Sequence, residues 1–201
     1  MAATRVRDVA VFDLDGTLTR RSTLAPFLVD SVPPLRLGAA LARTAPHLIA
    51  ATSGIESRQT AKEALLTACF VGRDVATVRR TAVEFAMRRI PGLLRQEAMR
   101  RVDVHRSAGH LLIVATASLE LYVEPWASSA GFDAVLATRL EVGGGLLTGR
   151  IEGLNCRGPE KVRRLRELLG DLSARTIHAY GDSAGDRELL EVANHRYFRK
   201  F

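Results

Sequence analysis

Three short, mostly apolar runs, each stopped by a polar or glycine position, organise the chain. Val9 to Phe12 stops at Asp13, Leu111 to Ala115 at Thr116, and Thr176 to Tyr180 at Gly181. Runs of this length that end abruptly suit strands buried in a parallel sheet. Helical spacing follows them: Leu121, Tyr122, Pro125 and Trp126 after Ser118, then Leu189, Leu190 and Ala193 after Ser183. Strand, polar turn and helix in repetition predict a parallel sheet with right-handed crossovers. Ligands of such sheets bind beyond the carboxyl ends of the strands. Asp13, Asp15, Thr116, Asp182 and Asp186 all fall there.

Between the first two runs the alternation stops and only helical stripes remain. Ala61, Leu65, Ala68, Cys69 and Phe70 make one stripe; Val75, Val78, Ala82 and Phe85 make another. Pro33-Pro34, Ser53-Gly54, Gly72 and Pro91-Gly92 punctuate them. The expected architecture is α/β. A Rossmann-like parallel sheet is built from residues 1–20 and 109–201, and an all-helical cap, residues 21–108, is inserted after the first strand over its crevice. Ala134 to Val142 and Leu146 to Ile151 flank three glycines and read as a β-hairpin. Gly158 suits an N-cap, Pro159 the first helical position, and Gly170 the stop of a helix with Val162, Leu165 and Leu169 inward. Lys161 then stands in the first turn, where a cation opposes the helix dipole at a cost of ~0.3–1 kcal/mol. A bound phosphate would explain it. Ser118 reads as the cap of its following helix or as a contact to phosphate.

Composition removes several classes. With 47% hydrophobic and 25% charged residues among 201, the chain is an ordinary globular one, neither disordered nor low-complexity. Cys69 and Cys156 cannot make a disulfide framework; reduced thiols and a cytoplasmic location are the simpler reading, with Cys156 structural. His105, His110 and His178 lack metal-ligand spacing and read as structural. The N-terminus runs from a short basic start straight into a strand, without the pattern of a signal peptide. Leu35 to Thr52, broken by Arg36, Arg43, Pro46 and His47, does not read as a membrane span, although it suits a surface-lying helix. The net charge of +7 is concentrated: residues 20–110 hold 15 basic and 7 acidic residues, against 14 and 15 elsewhere. That excess is either a solvated helical face or an attraction for an anionic substrate, an anionic membrane or nucleic acid.

The chemistry begins at Asp13-Leu14-Asp15-Gly16-Thr17-Leu18-Thr19. Two close carboxylates need a cation or a shared proton, and hard oxygen ligands suit Mg²⁺. A bare Asp-x-Asp is also common as an exposed Asx-turn. The longer string resembles the first motif of the haloacid dehalogenase superfamily, Asp-x-Asp-x-Thr after a hydrophobic strand. Its other motifs follow in order: Thr116 at the second strand end, Lys161 in Gly158-Pro159-Glu160-Lys161, and the acidic Gly181-Asp182-Ser183-Ala184-Gly185-Asp186. The helical insert, Leu136 to Glu141 and Leu147 to Arg150 are similar to the phosphoserine-phosphatase-like subfamily IB.

The resemblance implies a Mg²⁺-dependent phosphomonoesterase that works through an aspartyl-phosphate. Asp13 would be the nucleophile and Asp15 the general acid and base. Asp13, Asp182 and the backbone carbonyl of Asp15 would hold the metal, Thr116 and Lys161 the phosphate, with Asp186 in support. Three positions depart from phosphoserine phosphatases: Ser22 stands where their cap glutamate meets the substrate ammonium, Lys62 loosely matches their cap arginine, and Gly185 replaces an asparagine. A small phosphorylated substrate is therefore expected, with phosphoserine one candidate. A lipid phosphate of the phosphatidylglycerophosphate type, with peripheral contact to an anionic membrane, is the rival. A phosphomutase and a non-catalytic basic binding module are further alternatives, but the module leaves the acidic cluster unexplained. Nothing in the sequence calls for nucleic acid or an obligate protein partner.

Overall fold

The computed structural model describes residues 7–52 and 58–201. The expected break at Ser53-Gly54 and the basic start before Arg7 lie outside the described residues. β1 (Val9–Phe12), wholly buried, is the middle strand of a five-stranded parallel sheet. It pairs on one side with β2 (Leu111–Leu119) and on the other with β6 (Ile177–Gly181); β3 (Ala134–Thr138) and β7 (His195–Phe198) lie outside them. Alternate residues of β1 feed the two faces. Ala10 and Phe12 join the larger core, whereas Val9 and Val11 join a smaller one against α7 (Pro159–Leu169) and α8 (Arg187–Glu191). A strand covered on both faces needs no polar position, which is why Val9 to Phe12 reads as an unbroken apolar run.

Five helices follow β1: α1 (Leu24–Ser31), α2 (Pro34–Thr52), α3 (Arg58–Phe70), α4 (Val75–Arg88) and α5 (Gln96–Ser107). The predicted stripes are their buried faces. Ala61, Leu65, Cys69 and Phe70 are buried on α3, and Val78, Ala82 and Phe85 on α4. Asp74 caps α4 by accepting a 2.7 Å bond from the Thr77 N–H. The larger core runs continuously from the sheet into these helices. At its centre Phe27 of α1 packs against Phe70, Phe85 and Tyr122, with ring centroids 6.1, 5.3 and 4.7 Å away. Tyr122 belongs to α6 (Glu120–Ser129), so this cluster fastens the helices after β1 to the helix after β2. Among the described residues no helix is long and apolar enough to cross a membrane.

The structure corrects three expectations. The second strand does not stop at Thr116: a register shift against β3 between Ala115 and Leu119 bends it onward to Leu119. The apolar run from Ala134 does not form one arm of a hairpin. Its first part is β3, in the central sheet, and the hairpin is only β4 (Leu140–Gly143) with β5 (Leu146–Ile151). Arg139 marks the division, paired with Glu120 at 2.7 Å. Ser118 does not cap α6; Leu119 holds that position and the Ser118 hydroxyl is used elsewhere. The segment after Ser183 is helical as expected: Ser183 and Asp186 form a reciprocal capping box around a tight 3₁₀ turn, Ala184–Asp186, and the short α8 follows. Cys156 is buried, with its Sγ 3.3 Å from the Leu136 carbonyl, consistent with a structural thiol.

Replacing Phe27 by Ala removes the hub of the aromatic cluster and leaves a cavity. A loss of ~3–5 kcal/mol in unfolding free energy is expected, read by denaturant unfolding of both proteins.

Candidate active site

The carboxyl end of β1 delivers Asp13 to a crevice, and the chain then turns sharply at Gly16. That residue has φ +88° and lies so close to Asp182 that an added Cβ would come within 2.3 Å of a carboxylate oxygen. Glycine is therefore required twice over, by conformation and by space. From the other side α7 begins at Gly158 and Pro159 as its sequence predicts, with Lys161 leaning back over its first turn. Lys161 is 2% exposed. Its Nζ donates to Asp13 Oδ1 at 2.7 Å and to Asp186 Oδ1 at 2.6 Å. The second oxygen of Asp186 accepts from the Ser183 N–H and hydroxyl, both at 3.0 Å, and from the Asp182 N–H at 3.2 Å.

These contacts set the electrostatics. Burial pushes Asp13 up to about 7 despite the pull of the Lys161 ammonium, and the charge of Asp186 adds to the rise. For Asp186 burial acts the same way, but Lys161 and the surrounding donors outweigh it and hold the carboxyl below its usual range. Burial opposes the charge on Lys161 too, yet its two carboxylate partners raise its affinity for the proton. Asp182, half-buried, is raised mainly by desolvation and then by Asp186. The carboxylates of Asp13, Asp182 and Asp186 can each place an oxygen within 4.8 Å of the others. Asp186 already spends its oxygens on Lys161 and the capping box, leaving Asp13 and Asp182 as the free hard donors. That set fits Mg²⁺.

Asp15 faces the other wall. Its Oδ1 accepts from the Thr23 N–H at 2.9 Å and the Thr23 hydroxyl at 2.8 Å; its Oδ2 accepts from the Ser118 hydroxyl at 2.7 Å and, more distantly, from Ser22 at 3.4 Å. Its side chain is thus committed to hydroxyls and a backbone N–H, not to the acidic cluster. Thr116 is 1% exposed, and its Oγ1 accepts the Ser118 N–H at 3.1 Å, inside the bent part of β2. Lys62 reaches across from α3 to the Ala117 carbonyl at 2.5 Å and to Asn155 Oδ1 at 3.2 Å. Burial pushes its ammonium down to about 8, partly countered by the charge of Asp15.

A cavity of about 200 Å³ joins these groups. Asp13, Asp15, Thr116, Lys161 and Asp186 line it together with Ser22 and Lys62 from the helical segment. Asp182 stands outside this lining, behind the Gly16 turn. Four participants went unread in the sequence. Thr23, ahead of α1, looks like an ordinary helix cap but serves Asp15. Asn155 accepts from Lys62 and from the Thr138 hydroxyl, the latter at 2.7 Å, so Thr138 also belongs to the wall. Arg157 lines the cavity with a guanidinium that has no ion-pair or hydrogen-bond partner among the described residues. It lies against Gly185, where an added Cβ would meet its Nη1 at 2.7 Å. The side-chain-free position in the acidic motif is what lets Arg157 approach.

The sequence model of the haloacid dehalogenase-like hydrolases matches residues 10–191, almost the whole chain. The chain belongs to that family. Protein CicA of Caulobacter vibrioides is 36% identical over 194 residues, covering 96% of this chain and 86% of its own. A Mycobacterium tuberculosis protein named "Probable phosphatase Rv3661" is 33% identical over 200 residues, covering 96% of this chain and 69% of its own. Among solved structures, a phosphoserine phosphatase from T. onnurineus superposes with a TM-score of 0.64 over 98% of this chain and 86% of that one. Its 21% identity speaks for the fold alone. The parallel sheet and the meeting of the four motif segments are thus those of a haloacid dehalogenase-like hydrolase.

Lys161→Met should leave two buried carboxylates without their counter-charge, at a cost of about 3–5 kcal/mol. The deficit should shrink on acidification, since a carboxyl kept neutral by burial no longer needs the ammonium. Thermal unfolding of both proteins across a pH series measures it.

Proposed function

We propose that the protein is a Mg²⁺-dependent phosphomonoesterase that hydrolyses a small organic phosphate through an aspartyl-phosphate on Asp13. The observation that carries this reading is the placement of Asp13, with its oxygen held by a buried lysine, in one small cavity with Asp15 and three cationic side chains. A carboxylate so fixed is a nucleophile with restricted orientation. Its attack on phosphorus forms the acyl-phosphate bond and breaks the bond to the ester oxygen. Asp15, positioned by Thr23 and Ser118, gives the leaving oxygen its proton. It then takes a proton from water, which attacks phosphorus, releases inorganic phosphate and restores Asp13. Lys161 and Thr116 hold phosphate oxygens, and Lys161 offsets charge as it builds. Asp13 and Asp182, with the backbone carbonyl of Asp15, would hold Mg²⁺, which when bound shields the anionic nucleophile from the anionic phosphate. Residues 21–108 act as the cap over residues 1–20 and 109–201, supplying Ser22 and Lys62 to the substrate.

The substrate class follows from the walls. The cavity is smaller than the roughly 300–1,000 Å³ of sites for drug-sized ligands, so it admits a phosphate and a short attached group. Ser22, a neutral hydroxyl, offers no counter-charge for an ammonium. Lys62 and Arg157 favour a second anionic group instead. A cytoplasmic metabolite with a carboxylate or a further phosphate fits best. The second reading, a lipid phosphate, draws on α2, which exposes Leu35, Leu41 and Ile49 at 91%, 43% and 65%. Such a helix could rest on an anionic membrane and bring the headgroup alone into the cavity. Higher kcat/KM on anionic vesicles than on soluble esters would favour it.

Asp13→Asn should abolish turnover while leaving the unfolding curve in place, and Asp15→Asn should accumulate labelled phosphoenzyme in Mg²⁺ that chelation prevents. Full activity in the first variant, or no labelling in the second, contradicts the mechanism.

Lys62 supplies a pH test. Its ammonium loses its proton as pH rises through about 8, so kcat/KM for a doubly anionic substrate should fall above that pH in the free enzyme. Lys62→Arg, charged throughout, should lack this alkaline limb. A limb unchanged in the variant would remove Lys62 from substrate binding.

A further inference from the structure

Three imidazoles read from the sequence as unrelated meet at the end of the sheet opposite Asp13. His105 stands in the last turn of α5, His110 just before β2, and His178 second in β6. Their rings are mutual neighbours. Centroids are 5.0 Å apart for His105 and His110, 4.8 Å for His105 and His178, and 5.2 Å for His110 and His178. The tertiary structure makes room for this. His178 pairs across the sheet with Ala10, whose small side chain lies on the same face between β6 and β2.

One imidazole nitrogen of the three rings is buried without a partner. His105 Nδ1 and His110 Nδ1 are 2.9 Å apart, so one donates to the other. His105 Nε2 lies 2.8 Å from the Tyr180 hydroxyl, which fixes the ring and leaves Nδ1 turned to its neighbour. His178 Nδ1, however, is buried and has no hydrogen-bond partner. A buried polar nitrogen left unpaired costs about 1–3 kcal/mol. One ring nitrogen from each histidine lies within 4.8 Å of those of the other two.

We propose that His105, His110 and His178 bind one borderline transition-metal ion, of which Zn²⁺ is the type, at a site separate from the carboxylate cluster. Three imidazole nitrogens suit Zn²⁺, Ni²⁺ or Cu²⁺, whereas Mg²⁺ prefers oxygen. Bonds of about 2.0–2.1 Å in a tetrahedral site put the ligand nitrogens roughly 3.3 Å apart. Side-chain rotation opens the 2.9 Å contact and closes the wider ones to that spacing. The ion replaces one histidine–histidine hydrogen bond and pairs the orphaned nitrogen of His178. It ties the α5–β2 turn to β6 across β1, so it acts on stability, away from the phosphate site.

The test uses the whole chain carrying Asp182→Asn, so that the carboxylate cluster is weakened as a competing site. Zn²⁺ is titrated at neutral pH against a chromogenic chelator. One equivalent bound with micromolar or tighter Kd is expected, along with a Tm that rises with Zn²⁺ but not with Mg²⁺. Adding His110→Ala, at a partly exposed turn position, should weaken that equivalent at least tenfold and abolish the Tm rise. Adding His47→Ala, on α2, should change neither. If the parent binds no Zn²⁺ at about 100 µM, or if His110→Ala binds it as well as the parent, the inference is overturned. Should His110→Ala not fold, His178→Asn takes its place in the same titration: binding weakened at least tenfold supports the site, and binding equal to the parent's overturns it.

Discussion

A buried ammonium between two buried carboxylates is the constraint around which the rest is arranged. Lys161, Asp13 and Asp186 are all 6% exposed or less, and none of them could remain charged there alone. The bonds of 2.7 and 2.6 Å join three segments distant in sequence: the end of β1, the first turn of α7 and the turn after β6. The site and the sheet are therefore held by the same interaction. Asp186 is doubly committed, to Lys161 and to the Ser183 capping box, whereas Asp13 gives Lys161 only its Oδ1. Such an arrangement stores little net stability, because desolvation offsets most of the attraction. What it provides is a fixed position for the Asp13 carboxylate, the nucleophile of the proposed mechanism.

The side chains that hold Asp15 are neutral where those around Asp13 are charged. Thr23, Ser118 and Tyr122 form a hydroxyl network around Asp15, with Thr23 Oγ1 3.2 Å from Ser118 Oγ and 3.1 Å from the Tyr122 hydroxyl. Tyr122 also belongs to the aromatic cluster centred on Phe27, so the general acid proposed here rests on the packing between the helical segment and the sheet. Lys62 makes a second tie, from α3 to the bent part of β2 and to Asn155. The contacts of Asp15 with Thr23 and Ser118 and those of Lys62 with Ala117 and Asn155 cross that same interface. In the proposed mechanism the substrate contacts of the helical segment and the proton-transferring group would share that one packed interface.

The walls also account for how this chain differs from the pattern of phosphoserine phosphatases. Ser22 sits near Asp15 as a neutral group. Gly185 removes a side chain from the acidic motif, and Arg157 fills the space. The positive charge that the sequence concentrates in residues 20–110 is thus joined at the cavity by an arginine from outside that segment.

Much of this was legible in the amino-acid order, for local reasons. β1, β6 and α7 follow from apolar runs and terminal signals that act over a few residues. Asp13, Asp15, Lys161 and Asp186 stand out because acids at strand ends and a lysine in a first helical turn conflict with simple stability. The rest depended on partners far along the chain. Thr116 and Ser118 lie within β2 because β3 lets the strand bend past them, and no property of residues 116–119 announces that. Ala134 to Thr138 chose the central sheet over a hairpin because an open edge of β2 was available to it. Thr23, Asn155 and Arg157 look like a cap, a turn residue and a surface cation until the fold sets them around one cavity. The three histidines, spread over 74 positions of sequence, meet only because the sheet places β1 between β2 and β6 and so brings their segments to one end. Sequence determines which groups conflict with burial or favour a local conformation; only tertiary packing decides which distant groups resolve that conflict, since the pairing energy exists only once both partners have left water.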